Sequence, residues 1–432
     1  MRDEWDAVGV LTLKQSLART LYICYFGLRE PLVQTQVLPY LRELVKGGIE
    51  VFLLTFEPQL KERWPQDELE GARAQLARDG IRWFSLPYHK RPSVPATAYD
   101  IAQGARMAAR LARQHGIGVL HARAHIPLAM ALMAQRIVKC RLVFDIRGLM
   151  AEEYADARVW TESSAPFRAV KRLERAGISR ADQIVVLTRR MRDWLVENGL
   201  KSAAQIEVIP CCVDFSRFDE GAAIEGRKSA GRFEVVYAGS VTGLYLLEEM
   251  GRFFLKIRER RADAFLRVMT QSAVEEATAR LMRVGLSSDE FWVGAVKPGE
   301  VPSYLMSAGL GLSFRKPTFS QIAASPTKVP EYLAAGLPVV CNAGIGDTDE
   351  LLKNERVGVV IESFSEERLG RAAGEALALT REQGIAERCV EVAHENFELG
   401  KVGGARYRNV YRRLEEQEGA SGEVTKISFK MR

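Results

Sequence analysis

The stretch SPTKVPEYLAAGLPVV, residues 325–340, brings a hydroxyl, a lysine and a glutamate together just ahead of an apolar run. Gly336 followed by Leu337-Pro338 marks a helix end, because glycine accepts the left-handed conformation there and proline cannot extend the helix. Pro330 lacks an N–H and is tolerated only in a first turn. The helix is therefore expected to start with Thr327 as N-cap and to leave the amides of Lys328 and Val329 free. Ser325-Pro326 is the turn that delivers the chain to that point. Free amides at the positive end of a helix, beside the Lys328 ammonium, suit a diphosphate. Glu331, one turn in, suits a ribose instead, because paired sugar hydroxyls can donate to both carboxylate oxygens. Arg315 and Lys316, at the end of the preceding apolar segment, add two cations. A plain helix start with a solvated lysine is the alternative. Placement between two apolar strands, at the edge where such sheets bind ligands, favours the site.

Other residues with chemical potential lie at similar edges. In GIGDTDE (344–350), Asp347 and Asp349 have the spacing of paired carboxylates that hold a divalent ion against a diphosphate. With Lys328 already supplying positive charge, these acids are expected to cap the following helix, Gly344, Ile345 and Gly346 to bring backbone close to a ligand, and no metal to be required. HARAHIPLAMALMA (121–134) sets His121, Arg123 and His125 where a strand gives way to a helix, and FDIRGLMAEEY (144–154) does the same with Arg147, Gly148, Glu152 and Glu153. A lone histidine is more often structural, so His121 weighs little; His125, beside Arg123 at a helix start, is kept as a candidate. FGLREPLVQTQ (26–36) offers Gly27, Arg29 and Gln34 at the first strand-to-helix turn. It is not G-x-G-x-x-G, and no G-x-x-x-x-G-K-[ST] occurs, which removes the main support for dinucleotide oxidoreduction and P-loop hydrolysis.

These residues need a scaffold, and the apolar pattern supplies one. LYICYF (21–26), IEVFLLTF (49–56), GVLHA (118–122), RLVFDIRG (141–148), QIVVL (183–187) and IEVIP (206–210) alternate with segments of helical periodicity, including roughly 98–114, 127–137 and 166–178. The rhythm restarts after 210–220 with FEVVYAGS (233–240), FLRVMTQ (265–271), FWVGAV (291–296), LGLSF (310–314) and VGVVI (357–361). Short apolar strands alternating with helices predict two α/β domains, each a doubly wound parallel sheet, facing one another across a cleft.

Length and composition agree. A chain of 432 residues, 47% hydrophobic, exceeds one ordinary core. The 61 basic against 55 acidic residues give a charge of +6, short of a nucleic-acid-binding signature but compatible with a small anion or weak attraction to acidic lipid. The six cysteines lack C-x-x-C pairs and read as buried reduced thiols. The opening residues do not look like a secretory signal, and no run of about 18 apolar residues predicts a spanning helix. The expectation is a cytoplasmic protein with, at most, peripheral contact at the inner membrane face.

The second half resembles the donor domain of retaining glycosyltransferases of family 4, which have the GT-B fold, and SPTKVPEYLAAGLPVVCNAGIGDTDELL is similar to their most specific stretch, in the SPxK form of one subset. VIPCCVDFSRF (208–218) resembles the family's interdomain signature and VYAGSVTGLY (236–245) its glycine-bearing loop. The resemblance implies an acceptor-side domain over 1–212, a donor domain over 213–400, a helix over 401–417 crossing back, and a polar tail over 418–432. It implies a retaining, metal-independent transfer of sugar from a nucleoside diphosphate to an acceptor hydroxyl, with no cofactor, in cell-envelope glycan or glycoconjugate synthesis. Lys328, Arg315, His125 and Arg147 then fall at the reacting centre. Gly239, Ser240, Lys316, Ser325, Thr327 and Glu331, with the 344–346 loop, fall on the nucleotide sugar; Gly27, Arg29, Gln34, Arg123 and Glu152 fall on the acceptor side. The sequence departs from the family where its first donor-site glutamate becomes Ala323, its histidine becomes Arg147, and its Asn-Gly becomes Cys211-Cys212. A nucleotide-sugar epimerase of the same fold and a non-catalytic nucleotide-sugar-binding protein are the rival expectations.

Overall fold

The computed structural model describes residues 16–219, 231–271 and 273–430. The opening stretch read for a leader lies almost wholly outside these residues. Strands β1 (Ser16–Cys24), β2 (Glu50–Pro58), β3 (Ile81–Tyr88), β4 (Ile117–Arg123), β5 (Arg141–Ile146), β6 (Gln183–Val186) and β7 (Ile206–Val208) form one parallel sheet in the order β3-β2-β1-β4-β5-β6-β7. Strands β8 (Phe233–Ala238), β9 (Ala264–Met269), β10 (Phe291–Gly294), β11 (Leu310–Ser313), β12 (Val339–Asn342) and β13 (Gly358–Ile361) form the second, in the order β10-β9-β8-β11-β12-β13. Both orders reverse beside the first strand of their domain, between β1 and β4 and between β8 and β11. Loops leaving these strands splay apart there and open a crevice at the carboxyl edge. This is the GT-B arrangement of two Rossmann-like domains.

Residue types explain the elements. β4 is buried along its whole length, as a central parallel strand must be. Helix Leu247–Arg258 turns Leu247, Met250, Phe253, Phe254 and Ile257 onto the second sheet, all essentially inaccessible. Each such side chain contributes roughly 1.5–3 kcal/mol by leaving water, so this face alone outweighs the helix's intrinsic preference. The pattern of apolar runs missed β3, whose Arg82 and Pro87 interrupt it. Proline is tolerated there because β3 is an edge strand.

Two crossovers join the domains side by side: Val213 N–H donates to Phe397 O (2.8 Å), and Leu399 N–H donates to Val213 O (3.1 Å). The final helix, Ala405–Lys430, then lies on the first sheet. Tyr407 Oη donates to Asp145 (2.9 Å), and Tyr411 Oη donates to Thr20 Oγ1 (2.9 Å) while meeting His121 Nδ1 (2.9 Å). Helical backbone thus begins at 405 rather than 401, preceded by a wider π turn, and continues to Lys430 through most of the segment expected to be a tail. The six cysteines are buried thiols. Among the described residues, no helix is long and apolar enough to cross a membrane.

Candidate functional site

Helix Lys328–Ala334 is held by Tyr332, which is fully buried and whose hydroxyl accepts the Ala238 amide at the end of β8 (2.9 Å). Gly311 makes room for it: a Cβ there would lie 2.5 Å from the Tyr332 ring. This anchor sets Lys328 beneath the loop after β8, where a Cβ on Gly239 would lie 3.2 Å from Lys328 Cε. Gly239 has φ +143°, a conformation other residues adopt only under strain.

Lys328 is 4% exposed, and among the described residues neither a carboxylate nor a hydrogen-bond acceptor pairs with its ammonium. Its ammonium sits over the rings of Tyr245 (4.6 Å to the centroid) and Tyr237 (5.1 Å). Burial pulls the lysine below its ordinary range, with Arg315 adding to the depression and Tyr245 and Glu331 opposing it. The neighbouring ammonium in turn lowers the Tyr245 phenol. Cation–π contacts recover about 2 kcal/mol when desolvated, less than the several kcal/mol that burying an ion costs. The ammonium is under-compensated and would gain from an anion. Arg315 adds to this: its guanidinium lies 4.9 Å from the Tyr245 ring centroid, its amide donates to Asn342 Oδ1 (2.8 Å), and its buried Nε has no hydrogen-bond partner.

Other expected donor-side residues are engaged by the protein itself. Thr327 is already helical and its side chain caps nothing, contrary to expectation; the Val329 amide, expected to be free, turns back to Pro326 O (3.1 Å). A proline directly before Thr327 lets the chain enter the helix by a turn that needs no side-chain cap. Ser325 Oγ accepts the Cys211 amide (3.1 Å) from the interdomain strand, and Glu331 pairs with Arg217 (3.0 Å). Ser240 and Lys316 flank the gap: Ser240 Oγ meets Thr242 Oγ1 (3.2 Å), and the Lys316 amide donates to Leu244 O (2.9 Å). In the 344–346 loop the Gly344 amide donates to Asp349 (2.9 Å) and the Gly346 amide to Gln321 O (2.8 Å), while Ile345 is buried, so these two glycine amides are spent inside the protein.

Asp349 meets the expectation in part, accepting the Glu350 amide in the first turn of the following helix (2.9 Å), whereas Asp347 does not cap that helix. Asp347 accepts the amides of Arg189 (2.6 Å) and Arg190 (3.2 Å), and Asp349 pairs with Arg190 (2.8 Å). Asp347 thereby caps helix Arg189–Glu197 of the opposite domain, and Asp349 braces it through the Arg190 side chain. That helix offers orphan N–H groups at a positive dipole end, a better partner for a carboxylate than a neighbour in its own loop.

On the first domain, Gly27 packs where a Cβ would meet Glu57 and Pro58, and Glu57 accepts the Leu28 amide (2.8 Å). Arg29 is exposed, stacked 3.8 Å over Trp64 and paired with Glu68; Gln34 Nε2 donates to Leu28 O (2.6 Å). Both brace the loop. Arg123 and Arg147 converge on buried Asp145, each at 3.6 Å, and Arg147 also approaches Cys211 Sγ (3.5 Å). His125 is 1% exposed and bonded to Glu174 (2.9 Å), and Lys171 links Glu174 to Glu152 (2.6 Å). Burial opposes ionisation of Glu174, but its bonds to His125 and Lys171 hold its carboxyl below the usual range. His125 and Arg123 are therefore buried, and Glu152 is engaged by Lys171.

Glu153, on the same edge, stands apart from these contacts. It lies on helix Met150–Asp156, which packs on the segment Phe319–Ala323 of the opposite domain. None of the described side chains hydrogen-bonds or ion-pairs with it. Burial raises its carboxyl, while Arg315 from across the gap and His125 draw it down. Its paired position with Glu152 in MAEEYAD concealed which of the two faces the gap. Ala323 is buried in the first domain's core, so position 323 sends no side chain into the gap.

Residues 33–217 match the profile of Glycosyltransferase Family 4. No curated protein gives a significant match to the sequence. Among solved structures, the chain is similar to sucrose-phosphate synthase from Thermosynechococcus elongatus, with a TM-score of 0.69, 14% identity, and coverage of 92% of this chain and 99% of that one. It is similar to WaaG, a glycosyltransferase of lipopolysaccharide biosynthesis, at TM-score 0.66, 16% identity and 91% and 99% coverage. It is also similar to Anabaena HepE in complex with UDP and glucose, at TM-score 0.63, 14% identity and 93% and 99% coverage. At these identities the likeness establishes the fold, over nearly the whole chain.

Proposed function

We propose that the protein is a glycosyltransferase that moves a sugar, a hexose in the first instance, from a nucleoside diphosphate to an acceptor hydroxyl with retention and without a metal. The observation that carries this reading is Lys328: a buried ammonium with no anion of its own, next to Arg315, at the crevice where both sheets reverse. A departing diphosphate accumulates negative charge there as the glycosidic bond breaks, so fixed cations favour the transition state over the ground state. Retention follows if the acceptor attacks the face the diphosphate leaves, its proton passing to a phosphate oxygen. The Glu331 oxygen not bonded to Arg217 would take the ribose. The match to the family profile and the fold shared with HepE support a UDP-sugar as the first donor to try. A cytoplasmic role in cell-envelope or polysaccharide synthesis, with the acceptor lipid-linked or soluble, belongs to the same proposal.

The test is a panel of nucleotide sugars screened by thermal shift, then by product analysis. A matched donor raises the midpoint because it binds only the folded state. Sugar on an added acceptor, with the anomeric configuration kept, supports transfer. An epimerised donor formed without acceptor would instead assign an epimerase, and binding with no turnover a binding protein.

A further inference from the structure

We infer that Glu153 is a catalytic residue whose carboxylate faces the anomeric carbon of the donor and stabilises the positive charge that develops there. The inference rests on the transferase reading and adds to it a residue of the opposite domain.

The placement is specific. Glu153 stands on the short helix after β5, and its carboxylate lies against Gly148, where a Cβ would come within 2.4 Å of Oε1. Any side chain at position 148 would displace it. The helix that carries it rests on the second domain, so the carboxylate's position depends on the domains being together. Charged groups around it are Arg315 from across the gap and His125, Glu152 and Asp156 on its own side. The neighbouring acids repel it, and Glu152 is already tied to Lys171. Carboxylates that serve a fold are ordinarily bonded, as Glu152 is to Lys171; among the described residues no donor bonds to Glu153. On the other side, Lys328 and Arg315 are cations with no carboxylate bonded to them among the described residues. Tyr245 lies between, feeling Lys328, Arg315 and Glu153 together.

A gap with unpaired cations on one wall and an unpaired anion on the other matches the charge separation of glycosyl transfer. The bond from the anomeric carbon to the diphosphate oxygen breaks, and its electron pair leaves with the diphosphate toward Lys328 and Arg315. The carbon becomes cationic opposite Glu153. The acceptor oxygen then bonds to that carbon and its proton passes to the diphosphate; Glu153 starts and ends ionised.

UDP release from UDP-glucose, with water as the default acceptor, tests this without a known acceptor; the donor identified by screening replaces UDP-glucose where it differs. In E153Q, UDP release should fall by about 100-fold while UDP affinity stays within about twofold. The melting temperature at neutral pH should be unchanged or higher, because a carboxylate raised by burial weakens the fold above its own pKa. That gain should fade as pH falls toward the ordinary carboxylate range and be gone below it. Release within about threefold of wild type, or a lowered melting temperature with UDP binding lost, overturns the inference. If E153Q does not fold, E153A assayed with and without formate replaces it. Formate-restored release supports the role, and no restoration overturns it. A wild-type protein that binds and cleaves no nucleotide sugar sinks the transferase reading itself; an active wild type with an equally active E153Q sinks only this inference.

Discussion

Among single residues, the unusual feature is polar groups kept from the partners they would ordinarily find. Lys328 rests on aromatic faces, so its loss should cost function more than stability. Lys328→Ala is expected to slow turnover by about 100-fold, read by steady-state kinetics at saturating donor. Glu331→Ala should mainly weaken nucleotide binding, by calorimetry, while freeing Arg217. His121 behaves oppositely: burial holds its imidazole down to about 4, with Arg123 and Arg147 assisting and Asp145 resisting. The unfolded chain therefore binds the extra proton between about pH 6.5 and 4, and stability falls as pH drops through that window. The contribution is at most about 3 kcal/mol, and a His121→Gln variant should melt with a visibly shallower acid dependence than wild type. At this scale the sequence disclosed Lys328, Arg315 and Ser325 as neighbours of one edge, because all three lie on the connection from β11 into the helix that ends before Gly336. It could not disclose Glu153, whose distinction from Glu152 is a matter of which way a half-turn of helix points.

The element that matters most is the seven-residue helix Lys328–Ala334. Its limits were legible from Pro330 and Gly336, but the missing side-chain cap at Thr327 was not, because a turn through Ser325-Pro326 leads the chain into the helix. Its position depends on Tyr332 lying on Gly311. Gly311→Ala should destabilise the protein by roughly 1–3 kcal/mol through overpacking and reduce turnover by moving Lys328, both measurable on one purified variant. Strands β4, β5 and β8 declared themselves as apolar runs; β3 did not, since an edge strand need bury only alternate residues.

Across the whole molecule, the two-domain plan followed from the restart of the strand–helix rhythm, whereas the contacts between domains did not. Asp347 bonds to amides 157 and 158 residues away in sequence, a pairing no local pattern predicts. Asp347→Ala should cost about 0.5–2 kcal/mol as a lost helix cap, and a larger radius of gyration in solution scattering would show that the domains separate more readily. Closure matters because Glu153 and Arg315 come from opposite domains and influence one another only across the gap.

The most direct measurement is calorimetric titration of common nucleoside diphosphates into the wild-type protein and into Lys328→Met, which keeps an apolar stem in the same space. At least one diphosphate should bind the wild type, and the variant should bind it about 10- to 100-fold more weakly, the loss expected for a charged hydrogen bond, while melting no lower. Equal affinity in the two proteins, or no binding of any diphosphate to the wild type, would contradict a diphosphate held by Lys328.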